Sequence, residues 1–188
     1  MEFFPELELI HLIRNPLAVA KSEANREHLL HRLHFPFRYY HADDGQRYFR
    51  WSLTGKEPIF QHFRHIQLSP YQRYLLQWIE IENRAMHFLD EHHKHERCFT
   101  LHSPADLNDL AKIQQLFDFF GLRLKHQEII LAGRKNRNPH CPTVLTSVDE
   151  REFEAVLANL PTKYLQIFTR HPYDSLRGSQ LNQILKEL

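Results

Sequence analysis

A strand that runs straight into a helix is the feature that most limits what this chain can fold into. Leu7, Leu9, Ile10, Leu12 and Ile13 form an apolar run broken by Glu8 and His11, and such a run predicts a largely buried strand. Arg14 ends it. Asn15 is a good N-cap and Pro16 a good first helical residue. Leu17-Ala18-Val19-Ala20-Lys21-Ser22 continues with helical composition. The unit is strand, tight turn, helix, with a basic residue at the turn and a hydroxyl about two turns into the helix.

That order of residues suits an anion. The first turn of a helix has unpaired backbone N–H groups and the positive end of the dipole. Arg14 adds a planar donor fork that matches a phosphate, and Ser22 can add a hydroxyl if it faces the same side. On spacing alone an ordinary strand–helix unit, its arginine capping something nearby, stays open beside the phosphate reading.

Arg14-Asn15-Pro16 followed by Ser22 resembles the second nucleotide-binding motif of sulfotransferases. In that family a strand runs into Arg-Asp-Pro and a serine follows eight residues after the arginine. The resemblance implies that Arg14 and Ser22 hold the 3′-phosphate of the sulfonate donor, 3′-phosphoadenosine 5′-phosphosulfate (PAPS). Asn15 replaces the usual aspartate. A second likeness lies at Ala105-Asp106-Leu107 and Phe119-Phe120-Gly121-Leu122, where the family has a turn like Tyr-Glu-Asp-Leu and a helix ending in Phe-Leu-Gly-Leu. The Tyr and Glu of that turn are missing here. A basic loop also closes over the 3′-phosphate in the family. Arg134, Lys135 and Arg137, within Gly133 to Pro139, are the candidates here, although a solvated connection also explains three cations and two amides.

The resemblance covers most of this chain but only the C-terminal part of the family's domain. Sulfotransferases carry a large region before this motif, with a P-loop-like 5′-phosphosulfate site and commonly the catalytic base and an active-site lysine. Here Met1 to Glu6 lead almost at once into the strand. Gly45, Gly55, Gly121, Gly133 and Gly178 are dispersed, so no glycine-rich strand-to-helix loop exists elsewhere. The expectation is a single domain over 1–188 that lacks the P-loop segment.

The rest of the chain supplies mostly helices. His28, His31 and His34 recur every three residues, as do His62 and His65, a spacing that can serve a metal on a helix. No acidic or cysteine partner completes a set, so a polar face is the reading and no metal is expected. Phe35 to Tyr40 and Arg47 to Trp51 interleave aromatics and cations around a turn at Asp43-Asp44-Gly45. Such a stretch packs a loop onto the core or, by the resemblance, faces the acceptor. Ser69-Pro70 opens a long helix whose apolar face runs from Tyr74 to Leu89. Arg97 to Leu101 reads as a second buried strand, Ser103-Pro104 as the cap of a helix that Gly121 stops, and Leu124 to Ala132 as helical. Ser147-Val148-Asp149-Glu150 reads as a capping box opening a helix to Leu160. Short helices are expected over 163–169 and 179–188, with Leu181, Ile184, Leu185 and Leu188 free to pack or meet a partner.

Two strands and five or more helices make a helix-rich α/β fold, a small parallel sheet flanked by helices. Two parallel strands are few for a buried sheet, so a third comes from sequence before Met1, from another chain, or not at all. The net charge of +1 gives no field for nucleic acid. Cys98 and Cys141 form neither a disulfide framework nor a zinc motif, and the fifteen histidines would make the chain strongly basic in mild acid. No apolar run reaches membrane-spanning length and no signal-peptide pattern is present, which leads to an expected cytoplasmic location without a membrane partner.

Three functions follow as hypotheses. The first is a sulfotransferase-like protein that keeps the 3′-phosphate half of the PAPS site and serves a hydroxyl acceptor, with no base to nominate. The second is a catalytically inactive remnant or a partner-binding protein, a homo-oligomer among the options, since open sheet edges drive association. A histidine-dependent metal protein ranks last.

Overall fold

The computed structural model describes residues 5–32, 39–43, 45–49, 51–123 and 144–176. In chain order its elements are β1 (Leu9–Arg14), α1 (Pro16–Arg32), β2 (Tyr39–His41), β3 (Arg47–Phe49), α2 (Pro58–Gln61), α3 (Pro70–Glu91), β4 (Cys98–Ser103), α4 (Leu110–Phe119), α5 (Ser147–Asn159) and α6 (Thr162–Leu165). The architecture is α/β, with one two-stranded parallel sheet and one two-stranded antiparallel sheet. The chain divides into two compact units, one built from 1–15 and 84–138, the other from 16–83 and 139–188.

In the first unit β1 and β4 pair in parallel, from Leu9 opposite Cys98 to Arg14 opposite Ser103. β4 runs two residues beyond the expected end at Leu101, so Ser103 is a strand residue and not a helix cap. The cap falls to Asp109, whose side chain accepts the Ala111 N–H at 2.9 Å; a short 3₁₀ turn at Asp106–Asn108 lies between. α4 packs Phe119 against Phe99 at 5.4 Å between ring centroids. It ends where expected: Gly121 sits at φ 61°, a left-handed conformation cheap only for glycine, and the Leu122 N–H reaches back to the Phe117 carbonyl at 2.8 Å. None of its residues is fully buried, although its apolar spacing is helical. The segment leading into β1 is clipped to the turn before β4. Lys94, buried, donates to the Pro5 carbonyl, and Arg97 Nη2 reaches Glu6 Oε2 at 2.8 Å.

The second unit holds a dense aromatic core. Ile59, Leu75, Ile79, Phe153, Val156, Ile167, Phe168 and Tyr173 are all fully buried. Trp78 stacks on Phe168 with an interplanar angle of 10°, and Tyr173 meets Trp78 edge-on. The Tyr173 hydroxyl donates to Glu82 at 2.7 Å, which satisfies a buried polar group at each end. α3 starts as expected: Ser69 Oγ accepts the Gln72 N–H and Gln72 Oε1 accepts the Ser69 N–H, each at 3.1 Å, a reciprocal cap. The capping box of α5 lies one residue earlier than expected. Thr146 and Asp149 form it, because Thr146 Oγ1 faces the Asp149 N–H.

β2 and β3 form a hairpin that the sequence reading treated only as a turn. Gly45, at φ 73°, makes that turn possible. Arg47 of the hairpin lies 3.9 Å from the centre of the Tyr39 ring, and Arg26 of α1 lies 4.8 Å from that of Trp51. These contacts use part of the interleaved stretch for packing within the unit. Phe35, Phe37, Arg38, Arg50 and the tail leucines 181, 185 and 188, with Ile184, lie outside the described residues.

Candidate functional site

Parallel strands end at the same side of their sheet, and in open α/β folds ligands gather beyond those carboxyl ends. Here the shared register brings Arg14 opposite Ser103, with His102 one step before it. The alternation of β1 turns Ile13 inward and leaves Arg14 exposed. Among the described residues the Arg14 guanidinium has no hydrogen bond, ion pair or ring partner. An arginine held at a strand end with all its donors unspent can receive an oxyanion in its fork.

The end of β4 is chemically different. Asp106 Oδ2 accepts the His102 backbone N–H at 2.7 Å and lies 3.4 Å from His102 Nδ1. Asn108 Nδ2 closes onto the Pro104 carbonyl at 2.6 Å. This turn satisfies its own backbone donor with its own carboxylate, so it offers an anion a negative charge where β1 offers a positive one. The sequence reading singled out Asp106 for its place in a motif and missed its partner. The spacing of His102 and Asp106, four residues apart across a turn, was the available signal.

α1 begins one residue after β1, and its first turn carries no acidic side chain. Ser22 is half-exposed on this helix, and its hydroxyl has no partner among the described residues. Lys21, beside it in sequence, is not available to a ligand. Its ammonium is shared between the two oxygens of Asp149, at 2.8 and 2.9 Å, and the Asp149 side chain is 5% exposed. Burial alone would raise the Asp149 carboxyl, but the Lys21 and Thr146 bonds outweigh it and hold its pKa below the ordinary value. Arg134, Lys135 and Arg137 lie outside the described residues.

The histidines pair locally. His95 Nε2 meets Asp90 at 2.7 Å, Arg64 donates to His65 at 2.9 Å, and His62 sits edge-on to Tyr164. Among the described residues no three His, Cys, Asp or Glu side chains converge on a metal position. Of the first triplet, His28 is exposed on α1, while the His31 side chain and His34 lie outside the description. No helix among the described residues is long and apolar enough to cross a membrane.

The second unit also contains a cavity of about 120 Å³ beside Ser52 to Gly55, Phe60, Arg73, Tyr74 and Gln77. Its wall is pinned: Gln77 accepts the Leu53 N–H and donates to the Trp51 carbonyl, both at 2.9 Å, and Glu57 accepts from Thr54 and Gly55. Arg73 is already engaged by Glu27 at 2.9 Å. The volume is well below the roughly 300–1,000 Å³ of ordinary ligand pockets, so a nucleotide does not fit there. No protein-family model, no curated protein and no solved structure matches this chain.

Proposed function

We propose that this chain is a sulfotransferase-like protein that binds the 3′-phosphate of PAPS and serves sulfonate transfer to a hydroxyl acceptor. The observation that carries this reading is the exposed guanidinium of Arg14 at the carboxyl end of a parallel strand, without a partner among the described residues. The helix that follows in sequence, α1, has no acidic side chain in its first turn. Ser22 is the second contact that the sequence motif assigns, and its hydroxyl has no partner among the described residues. Arg14 and Ser22 bind in this reading and move no proton. Transfer itself is in-line displacement at sulfur, which needs a base on the acceptor hydroxyl and cations at the developing charge.

A second reading is a binding protein without catalysis. The closed turn after β4 favours it, because Asp106 occupies the neighbouring strand end with a carboxylate. In this reading the nucleotide or another phosphate is bound and no sulfonate moves.

Calorimetric titration with 3′-phosphoadenosine 5′-phosphate tests the site directly. Wild type binds, and Arg14→Ala weakens binding by about 2–3 kcal/mol, the size of a charged hydrogen-bonded contact. Folded wild-type protein that takes up no nucleotide sinks the PAPS reading. Binding without turnover on any acceptor selects the second.

A further inference from the structure

We infer that the open edge of β1 pairs antiparallel with β1 of a second copy, making a two-fold dimer through one continuous sheet. This inference rests on the first unit alone and does not depend on the nucleotide reading.

No described strand pairs with the second edge of β1. β4 is the only strand paired with β1 among the described residues. Its sequence, Leu9-Ile10-His11-Leu12-Ile13-Arg14, contains no proline, lysine or glycine, the devices that usually keep an edge strand from associating. The side chains are out of keeping with a free surface as well. Ile10 is 55% and Leu12 48% exposed, on the same face as their register partners Phe99 and Leu101. Phe99 is covered by Phe119 of α4, and Leu101 is buried. The apolar row on β4 is thus covered while the adjoining row on β1 is bare.

The bare row is self-complementary, which is what selects a second copy over an unrelated partner. Glu8, Ile10, Leu12 and Arg14 occupy alternate positions, with Glu8 continuing the alternation one residue before β1, and all four are exposed. A two-fold axis perpendicular to the sheet and passing by His11 sets Glu8 opposite Arg14 of the second copy and Ile10 opposite its Leu12. The same pairs recur on the other side of the axis. Each row then reads acid, apolar, apolar, base against base, apolar, apolar, acid. Sliding the register by two residues sets Glu8 against Leu12 or Arg14 against Ile10, and loses the match. Glu8 is loosely held within its own chain: its carboxylate lies 3.9 Å from Arg97, whose closer partner is Glu6 at 2.8 Å. Because Arg14 serves this pair, an anion bound there competes with Glu8 of the second copy.

Sedimentation velocity on the full chain, without nucleotide, reads the assembly. Wild type forms a dimer in the micromolar range. Leu12→Lys is monomeric, since it puts a charge in the apolar row. Glu8→Arg and Arg14→Glu each weaken association about tenfold or more, and the double variant recovers it. The register has its own test in a Cys98→Ser, Cys141→Ser background. Oxidising a mixture of the Ile10→Cys and Leu12→Cys chains gives a disulfide between the two kinds of chain, and neither chain alone links to itself. A wild type that stays monomeric at high micromolar concentration overturns the inference. So does a dimer indifferent to Leu12→Lys, a double charge swap as weak as the single changes, or a mixture that fails to cross-link.

Discussion

The two units bury their apolar residues to different extents. In the second, Phe153, Phe168 and Tyr173 are sealed from solvent, and the Tyr173 hydroxyl is bonded to Glu82. In the first, a parallel sheet, the kind normally covered on both faces, has two strands among the described residues and shows Ile10 and Leu12 to water. Unpaired donors and bare apolar rows are where a protein has binding energy left to use. Arg14 and the exposed row of β1 both lie in the first unit.

Substitutions in the two units should differ accordingly. The largest effect is expected from Phe153→Ala, which empties a fully buried ring site that meets Phe168 edge-on. Loss of about 3–5 kcal/mol in urea unfolding is expected. A loss under about 1 kcal/mol would show that this core is not as tightly packed as its burial indicates.

Next comes Lys21→Met, which leaves the Asp149 carboxylate buried with only Thr146 to hold it. Breaking a fully buried pair costs roughly 3–5 kcal/mol; with Lys21 partly exposed, about 2 kcal/mol is expected at neutral pH. The pH dependence has a definite sign. The folded-state pKa of Asp149 lies below its unfolded value, so its contribution is present above that value and is lost as pH falls below 3.8 toward the folded pKa. In Lys21→Met this acid-side loss starts at higher pH. Parallel stability–pH curves for the two proteins would show that Lys21 does not set the Asp149 titration.

The smallest effect is expected from Leu12→Ala. At concentrations too low for association it should change unfolding stability by less than about 0.5–1 kcal/mol, because half of that side chain is already in water. A cost near that of Phe153→Ala would mean that β1 is covered in solution even in the single chain, and the contrast between the units would fall.

Much of β1, α1 and α4 was legible in the sequence because their signals are local. An apolar run ending at Arg14, a proline at the first helical position and a glycine after α4 each act within a few residues, and β1, α1 and the end of α4 lie where they indicate. Misplaced boundaries had causes both near and far along the chain. Ser103 and Asp109 are both good caps, and the 3₁₀ turn that Asp106 stabilises decided for Asp109. Thr146 preceded Ser147 as the cap of α5 because Lys21, 128 residues away in sequence, draws Asp149 into the box position. The hairpin of β2 and β3 was hidden by its brevity, three residues a strand.

The sequence by itself determined the strand–helix unit that presents Arg14, the apolar face of α3 and the small size of the parallel sheet, since periodicity and capping are written in neighbouring residues. Tertiary structure alone decided which charges are free. Lys21 and Arg14 look equally available in the sequence, but one is neutralised by a carboxylate far along the chain and the other has no partner among the described residues. It also decided that Phe99 of β4 meets Phe119 of α4 while Ile10 and Leu12 of β1 stay exposed. Long-range pairing depends on how distant segments pack, and no local pattern encodes it.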